Sequence, residues 1–310
     1  KIQSKQNKRR IKVILLANYA DKTFANAQKY NSYTAKKFGK VDEVIEYGPE
    51  KIDSKFIDKN KAWFVVGNSQ IGKYGLWRPL ILEDAYSKIQ EDDYLIYADS
   101  GTYFINDIHY LTNFMKERHL NVLVFSIPFV EKDWTKRDVF IQLDADQEDI
   151  IYSNQRMSTC FVVRKSKEGT ELIEQYKKIA VEHPELFTDQ ENVMGKENYF
   201  GFIQNRHNQS VLSVLTKKMG IDAYRDPTEY GVHPKLYAFY DLPRSAVTTS
   251  SYEDSEYPQI LVQHRRGNVT QFVKVYGYIR SKCPYFISGA IIKVATIRQC
   301  IKRGKELRHV

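Results

Sequence analysis

Strand-like and helix-length stretches alternate along the first 130 residues, and this alternation constrains the fold more than any other feature. KVILLANY (12–19) is a short apolar run with β-branched residues, and the polar stretch TFANAQKYNSYTAKKFG follows it, closed by Gly39. That order reads as strand, loop, helix. DEVIEYG (42–48) has strand character and is followed by the apolar run AWFVVGN (62–68). The pattern then predicts a helix over 79–89, the strand YLIYA, a helix over 107–118 and the strand NVLVFSI (121–127). Such alternation predicts an α/β fold, a mainly parallel sheet with helices on both faces. The second half predicts a strand around Thr159 to Arg164 and a helix presenting Leu172, Tyr176 and Ile179 that stops at His183 and Pro184. A further helix lies in RHNQSVLSVLTKKMG (206–220), with Leu212, Leu215 and Met219 inward and Gly220 closing it, and 224–258 reads as a long ordered loop.

Charge is unevenly placed. The net charge is +9, but residues 1–12 carry six Lys or Arg without an acid, and 271–310 carry nine against the single Glu306. The remainder is mildly acidic, so a basic groove across the whole fold is not implied. In the final segment Ile287, Ile291, Val294, Ile297 and Ile301 recur every three or four residues, interleaved with Lys293, Arg298, Lys302, Arg303 and Lys305. This is the pattern of a basic amphipathic helix, suited to an anionic membrane surface through 285–308; the alternative is a terminal helix docked on the core with solvated lysines. The division expected is a main domain over 1–270 and a basic segment over 271–310. No nucleic-acid recognition motif accompanies the charge, so nucleic acid is not an expected partner.

Several classes are set aside. No apolar window approaches the length of a membrane span, and no leader with a cleavage site opens the chain. Lys1 rather than Met at the start leads us to expect an upstream piece, such as an anchor. Cys160, Cys283 and Cys300 are odd in number and far apart, which implies neither a disulfide framework nor a zinc site and fits a reducing compartment or, equally, a luminal protein with few cysteines. GxGxxG after the first strand, GxxxxGK[ST], GxSxG and HExxH are all missing.

What remains is DDYLIYADSG (92–101), a buried strand that delivers Asp99 onto a turn made by Ser100 and Gly101. Ligand sites in α/β sheets lie beyond the carboxyl ends of parallel strands, so Asp99 is the first candidate site residue. In KYGLWRPL, Trp77 and Arg78 offer a stacking face and a cation, and Pro79 suits the start of a helix; Trp77 reads equally as core. In DWTKRDVF, Lys136 and Arg137 can grip phosphate and Asp138 a ligand hydroxyl, or the three can form an exposed first helical turn.

The series NYADKTFANAQKYNSYTAKKFG, KYGLWRPLIL, DDYLIYADSG, DWTKRDVF and RHNQSVLSVL resembles, in that order, the blocks of bacterial capsular and surface-polysaccharide glycosyltransferases of the GT-A fold. The likeness covers roughly 12–220, with a looser match at VQHRRG (262–267). It implies a GT-A, Rossmann-like domain, to which the basic amphipathic segment is a C-terminal extension; taken with that segment, the expected place is cytoplasmic, peripheral at the inner face of the membrane. The activity implied is transfer of a sugar from a nucleotide-diphosphate donor, expected to be a UDP-sugar, to a hydroxyl on a growing, lipid-linked glycan. Two alternatives stand beside it: a non-catalytic nucleotide-sugar or glycan binder, and a basic membrane- or nucleic-acid-associated scaffold.

The resemblance also implies roles. Asp99, Ser100 and Gly101 stand where the family carries a DxD motif that holds the donor through Mn²⁺ or Mg²⁺, and Gly101 replaces the second acid. His264 is the expected second metal ligand, with Arg265 and Arg266 as the alternative means of neutralising the diphosphate; HRRG reads equally as a surface turn. Asn18 and Tyr19, ending the first strand, are the implied base and ribose contacts. In RHNQS, Asn208 stands where the family has Asp; Asn is no general base, so Asn208 and Gln209 are expected to hydrogen-bond sugar hydroxyls, with His207 the nearest titratable substitute. The reading of those residues as a helix cap and a packed neighbour stays open.

Overall fold

The computed structural model describes residues 10, 12–64, 74–234 and 256–275. It contains strands β1 (Ile14–Tyr19), β2 (Glu43–Tyr47), β3 (Tyr94–Ala98), β4 (Thr102–Phe104), β5 (Val122–Val130), β6 (Asn154–Arg156), β7 (Cys160–Arg164), β8 (Ala223–Arg225) and β9 (Leu261–Gln263). The longer helices are α1 (Ala25–Thr34), α2 (Arg78–Ser87), α3 (His109–Glu117), α4 (Lys167–Glu182) and α5 (Asn208–Lys218).

Seven strands form one sheet in the order β2-β1-β3-β7-β5-β6, with β8 beside β5; β4 and β9 make a separate antiparallel ribbon. β1 pairs in parallel with β2 and β3, and β5 with β8, while β6 and β7 run against their neighbours. The sheet is thus mainly parallel, as the alternation predicts. Every residue of β1 and of β3 is buried, because helices cover both faces. Leu15, Ala17, Leu95 and Tyr97 pack on one side with Ile81, Leu82 and Ala85 of α2 and Leu172, Ile173 and Tyr176 of α4. Ile14, Leu16, Tyr94 and Ile96 pack on the other with Leu111, Phe114 and Met115 of α3.

Local chemistry sets the helix ends. Pro79 occupies the first turn of α2, where a missing N–H costs nothing. The Ser166 side chain accepts the Gly169 N–H to open α4. α1 continues as a π-helical turn over Ala35–Gly39, and the left-handed residue that ends it is Lys40 rather than Gly39. Gly39 is required for a different reason: a Cβ there would lie 2.8 Å from the Phe104 ring.

Two local expectations differ from the structure. The run 62–68 begins within a helical turn, Lys61–Phe64, and continues outside the described residues. The stretch 224–258, read as loop, carries the end of β8 and a helical turn over Glu229–Val232, with 235–255 outside the described residues. The basic amphipathic segment also lies outside them from residue 276, and no described helix is long and apolar enough to cross a membrane.

Candidate active site

At the carboxyl end of β3 a cleft of about 320 Å³ opens, where an α/β sheet seats its ligands. Its walls come from the turn after β3, the residues before β7, the start of α5 and the β4–β9 ribbon, contributing Asp99, Gly101, Ser158, Thr159, Asn208 and Arg265 among others.

Arg78 organises the floor. It sits in the first turn of α2, only 5% exposed, with its guanidinium 4.5 Å from the Tyr97 ring centroid. Its Nη2 donates to Asp99 Oδ1 at 2.7 Å, and its Nη1 donates to Asn208 Oδ1 at 2.7 Å and to the Ser158 carbonyl at 2.8 Å. The Tyr97 hydroxyl donates to the same Asp99 oxygen at 2.6 Å. Burial works against the Arg78 charge, but Asp99 beside it, with Tyr97 and Tyr176, raises its pKa overall. One buried cation therefore fixes the strand-end carboxylate and the first residue of α5 together.

Asn208 is held from a second side by Gly75, whose φ of +65° suits glycine. The Asn208 side chain donates to the Tyr74 carbonyl at 3.3 Å, and a Cβ on Gly75 would lie 2.0 Å from Asn208 Nδ2. Gly75→Ala is expected to lower stability by about 2 kcal/mol through the left-handed backbone and the displaced amide. A urea midpoint within experimental error of the parent would contradict this.

His207 has φ 56° and ψ −123° at the head of α5, and such a strained conformation for a non-glycine residue is concentrated at functional sites. Its Nε2 pairs with Asp189 Oδ1 at 2.8 Å, and its ring meets Tyr74 edge-on. Gln209 joins the same wall from beneath, donating to Gln155 and accepting from the Ser158 N–H.

The structure thus brings Arg78, Asp99, Gly101, His207, Asn208, Gln209 and Arg265 to one cleft. Other residues named from sequence are placed elsewhere. Asn18 is fully buried, donating to Asn31 and Ser32 and accepting from Gln28, so it clamps α1 to β1. Tyr19 and Trp77 stack on each other at 3.7 Å inside the core, 8% and 6% exposed. Ser100 turns inward to donate to the Tyr19 carbonyl. Lys136 is buried and donates to the Gln190 carbonyl, and burial lowers its pKa. Arg137 pairs with Asp146 at 2.8 Å. Asp138 is fully buried and accepts the N–H groups of Val193 and Met194, which makes it a loop anchor rather than a sugar ligand. Arg266 is exposed and outside the cleft lining.

Sequence reading missed Thr102, Ser158, Thr159, Gln263 and the run Gln204–Arg206 in the lining, and Asp189 at the His207 ring. The one available signal was QNR immediately before HNQS, an unbroken polar stretch.

The expected metal pair does not assemble. His264 lies beside Tyr103, on the face of the β4–β9 ribbon opposite Thr102 and Gln263, and does not line the cleft. Its Nδ1 accepts the Arg266 N–H at 3.1 Å, so in the neutral ring Nε2 carries the hydrogen and has no lone pair for a cation. Nε2 is buried and lacks a hydrogen-bond partner among the described residues. Asp99 is the only carboxylate in the lining, and no cluster of three or more His, Cys, Asp or Glu able to hold a metal occurs among the described residues. The described side chains do not fit a Mn²⁺ or Mg²⁺ site, which wants several hard oxygen ligands.

Burial, reinforced by Arg266, pushes the His264 pKa down to about 4. The unfolded chain takes up a proton near pH 6.5 that the folded protein refuses until about pH 4. Stability should therefore be insensitive to this group above about pH 6.5 and fall as pH drops from there towards 4. His264→Gln is expected to flatten that acid-side loss, read as the change in urea midpoint between about pH 7.5 and about pH 5. An unchanged slope would remove His264 as its source.

The architecture matches solved glycosyltransferase structures. The galactosyltransferase LgtC, in complex with donor and acceptor sugar analogues, aligns at a TM-score of 0.50 and 14% identity, over 89% of this chain and 99% of that one. The glycosyltransferase GlyE of Streptococcus pneumoniae TIGR4 aligns at a TM-score of 0.41 and 11% identity, over 89% of this chain and 62% of its own. No family model and no curated protein matches the sequence. The likeness to LgtC establishes the fold as that of the GT-A glycosyltransferases.

Proposed function

We propose that the protein is a glycosyltransferase that moves one sugar from a nucleotide-diphosphate donor, a UDP-sugar, to a hydroxyl of a growing surface glycan. The observation that carries this reading is the Arg78–Asp99–Asn208 cluster at the carboxyl end of β3, in a polar cleft on a GT-A fold. By donating to Asp99 Oδ1 and Asn208 Oδ1, Arg78 orients the carboxylate and the amide together, so that hydroxyls of the donor sugar meet an oriented acceptor and donor. Asn208 and Gln209 bind and orient; neither titrates usefully. His207, steadied by Asp189, is the imidazole of the cleft wall and the group we assign to proton transfer from the acceptor hydroxyl. The basic segment 271–310 would keep the enzyme at an anionic membrane face through 285–308, where a lipid-linked acceptor is presented.

The test is a panel of nucleotide sugars followed by both thermal shift and nucleotide release. Selective stabilisation by one UDP-sugar with release of UDP on adding a glycan acceptor is the expected result. Stabilisation without release under any acceptor would favour the non-catalytic binder, and no response to any nucleotide sugar would refute both.

A further inference from the structure

The donor proposed above carries two negative phosphates, and something must meet that charge as the bond to the sugar breaks. The described residues supply one carboxylate to the cleft, Asp99, and its Oδ1 already accepts from Arg78 and Tyr97. Against it stand three arginines among the lining residues: Arg78, which is committed to Asp99 and Asn208, Arg206, whose guanidinium packs over the Phe129 and Trp134 rings, and the exposed Arg265. The position of the missing second acid is informative. The Gly101 carbonyl accepts the backbone N–H groups of both His264 and Arg265, at 2.9 and 3.1 Å, and a Cβ at Gly101 would lie 3.4 Å from the Arg265 Cα. Where a two-acid motif would put its second carboxylate, this chain seats the turn that carries an arginine into the cleft. Arg265 itself adopts φ +53°, a left-handed conformation that a side chain of this size holds only when its surroundings fix it. His264 is turned to the other face of the ribbon.

We infer that this site binds the pyrophosphate of its donor through Arg265, without a bridging divalent cation. The inference rests on the transferase reading and specifies how that site holds its ligand. Guanidinium groups offer fixed, forked donors to phosphate oxygens and keep their charge at any working pH, so they can neutralise the departing diphosphate without a metal. Asp99, held by Arg78, is left to orient the sugar end of the ligand.

The experiment is calorimetric titration of the full chain with inorganic pyrophosphate and with UDP, each in EDTA and in excess Mg²⁺, on the parent and on Arg265→Gln. We expect both ligands to bind the parent in EDTA with a Kd within about threefold of the Mg²⁺ value, and Arg265→Gln to weaken both at least about tenfold in either buffer. Arg265 is exposed, so its replacement leaves the fold intact and the loss reads on binding. Binding that appears only with Mg²⁺, or that Arg265→Gln leaves unchanged, would overturn the inference while leaving the transferase reading in place. Pyrophosphate binding in EDTA with no binding of UDP would uphold it and refute the UDP-sugar donor. No binding of either ligand under any condition would overturn both.

Discussion

Arg78→Met should abolish most sugar transfer, by about a thousandfold in kcat/KM, while costing about 2–3 kcal/mol of stability. The two figures have different origins. The stability cost follows from leaving the Asp99 oxygen, the Asn208 amide and the Ser158 carbonyl without their shared donor. Asp99 is 33% exposed, so water meets part of that loss, which places the cost below that of breaking a fully buried pair. The larger kinetic effect follows from orientation: with the guanidinium gone, the strand-end carboxylate and the head of α5 are no longer fixed relative to each other, and small displacements of binding groups are costly to catalysis. Arg78→Lys keeps the charge but cannot span three acceptors from one planar group, so it should recover stability better than turnover. Transfer by Arg78→Met within tenfold of the parent, at a temperature where both are folded, would refute the role.

How this cluster was legible in the sequence, and how parts of it were not, has a physical explanation. Asp99 stood out because a carboxylate at the end of an all-apolar strand has no ordinary reason to be there, and Arg78 because it follows Trp77 at a helix start. The parallel sheet was legible for the same reason: strands buried on both faces read as continuous apolar runs. Asp138, Lys136 and Asn18 looked equally placed for ligands, yet each is spent on the protein itself. The Asn18 partners lie in the next helix, whereas those of Asp138 and Lys136 lie far along the chain; the Asp138 carboxylate meets an N–H 55 residues away. A polar residue in an apolar context signals only that some polar group must be satisfied, and one chain's spacing does not say whether that group is a ligand or buried backbone. His264 misled similarly, because alternation along a strand decides which face a side chain takes, and the register of β9 on β4 was invisible until the ribbon formed.

The same principle locates the second large effect in a residue that no motif marks. Glu131 is fully buried between β5 and α5, where its carboxylate accepts from Thr135, Gln155, Ser213 and Lys217. Burial lowers the Lys217 pKa, and Glu131 opposes that shift. From Glu131 a continuous hydrogen-bonded path reaches the cleft: Gln155 donates to Glu131 and accepts from Gln209, Gln209 accepts the Ser158 N–H, and the Ser158 carbonyl accepts from Arg78. α5 is buried on nearly all sides, so its serines and amides have little water to fall back on, and this network is what satisfies them. Glu131→Ala should therefore cost about 3–5 kcal/mol, because it strands an ammonium and several hydroxyl and amide donors in the interior. Adding Lys217→Met should return part of that loss by removing the orphaned charge, since an apolar replacement for both members of a buried pair is far less costly than removing one. Urea unfolding of the single and double variants measures both terms. Because Gln155 and Gln209 lose their anchor, Glu131→Ala should also weaken donor binding in the folded fraction, by about tenfold, although Glu131 touches no ligand. Unfolding free energies within 1 kcal/mol of the parent, or a donor affinity unchanged despite a large stability loss, would separate the network from the site and leave Glu131 as a packing residue alone.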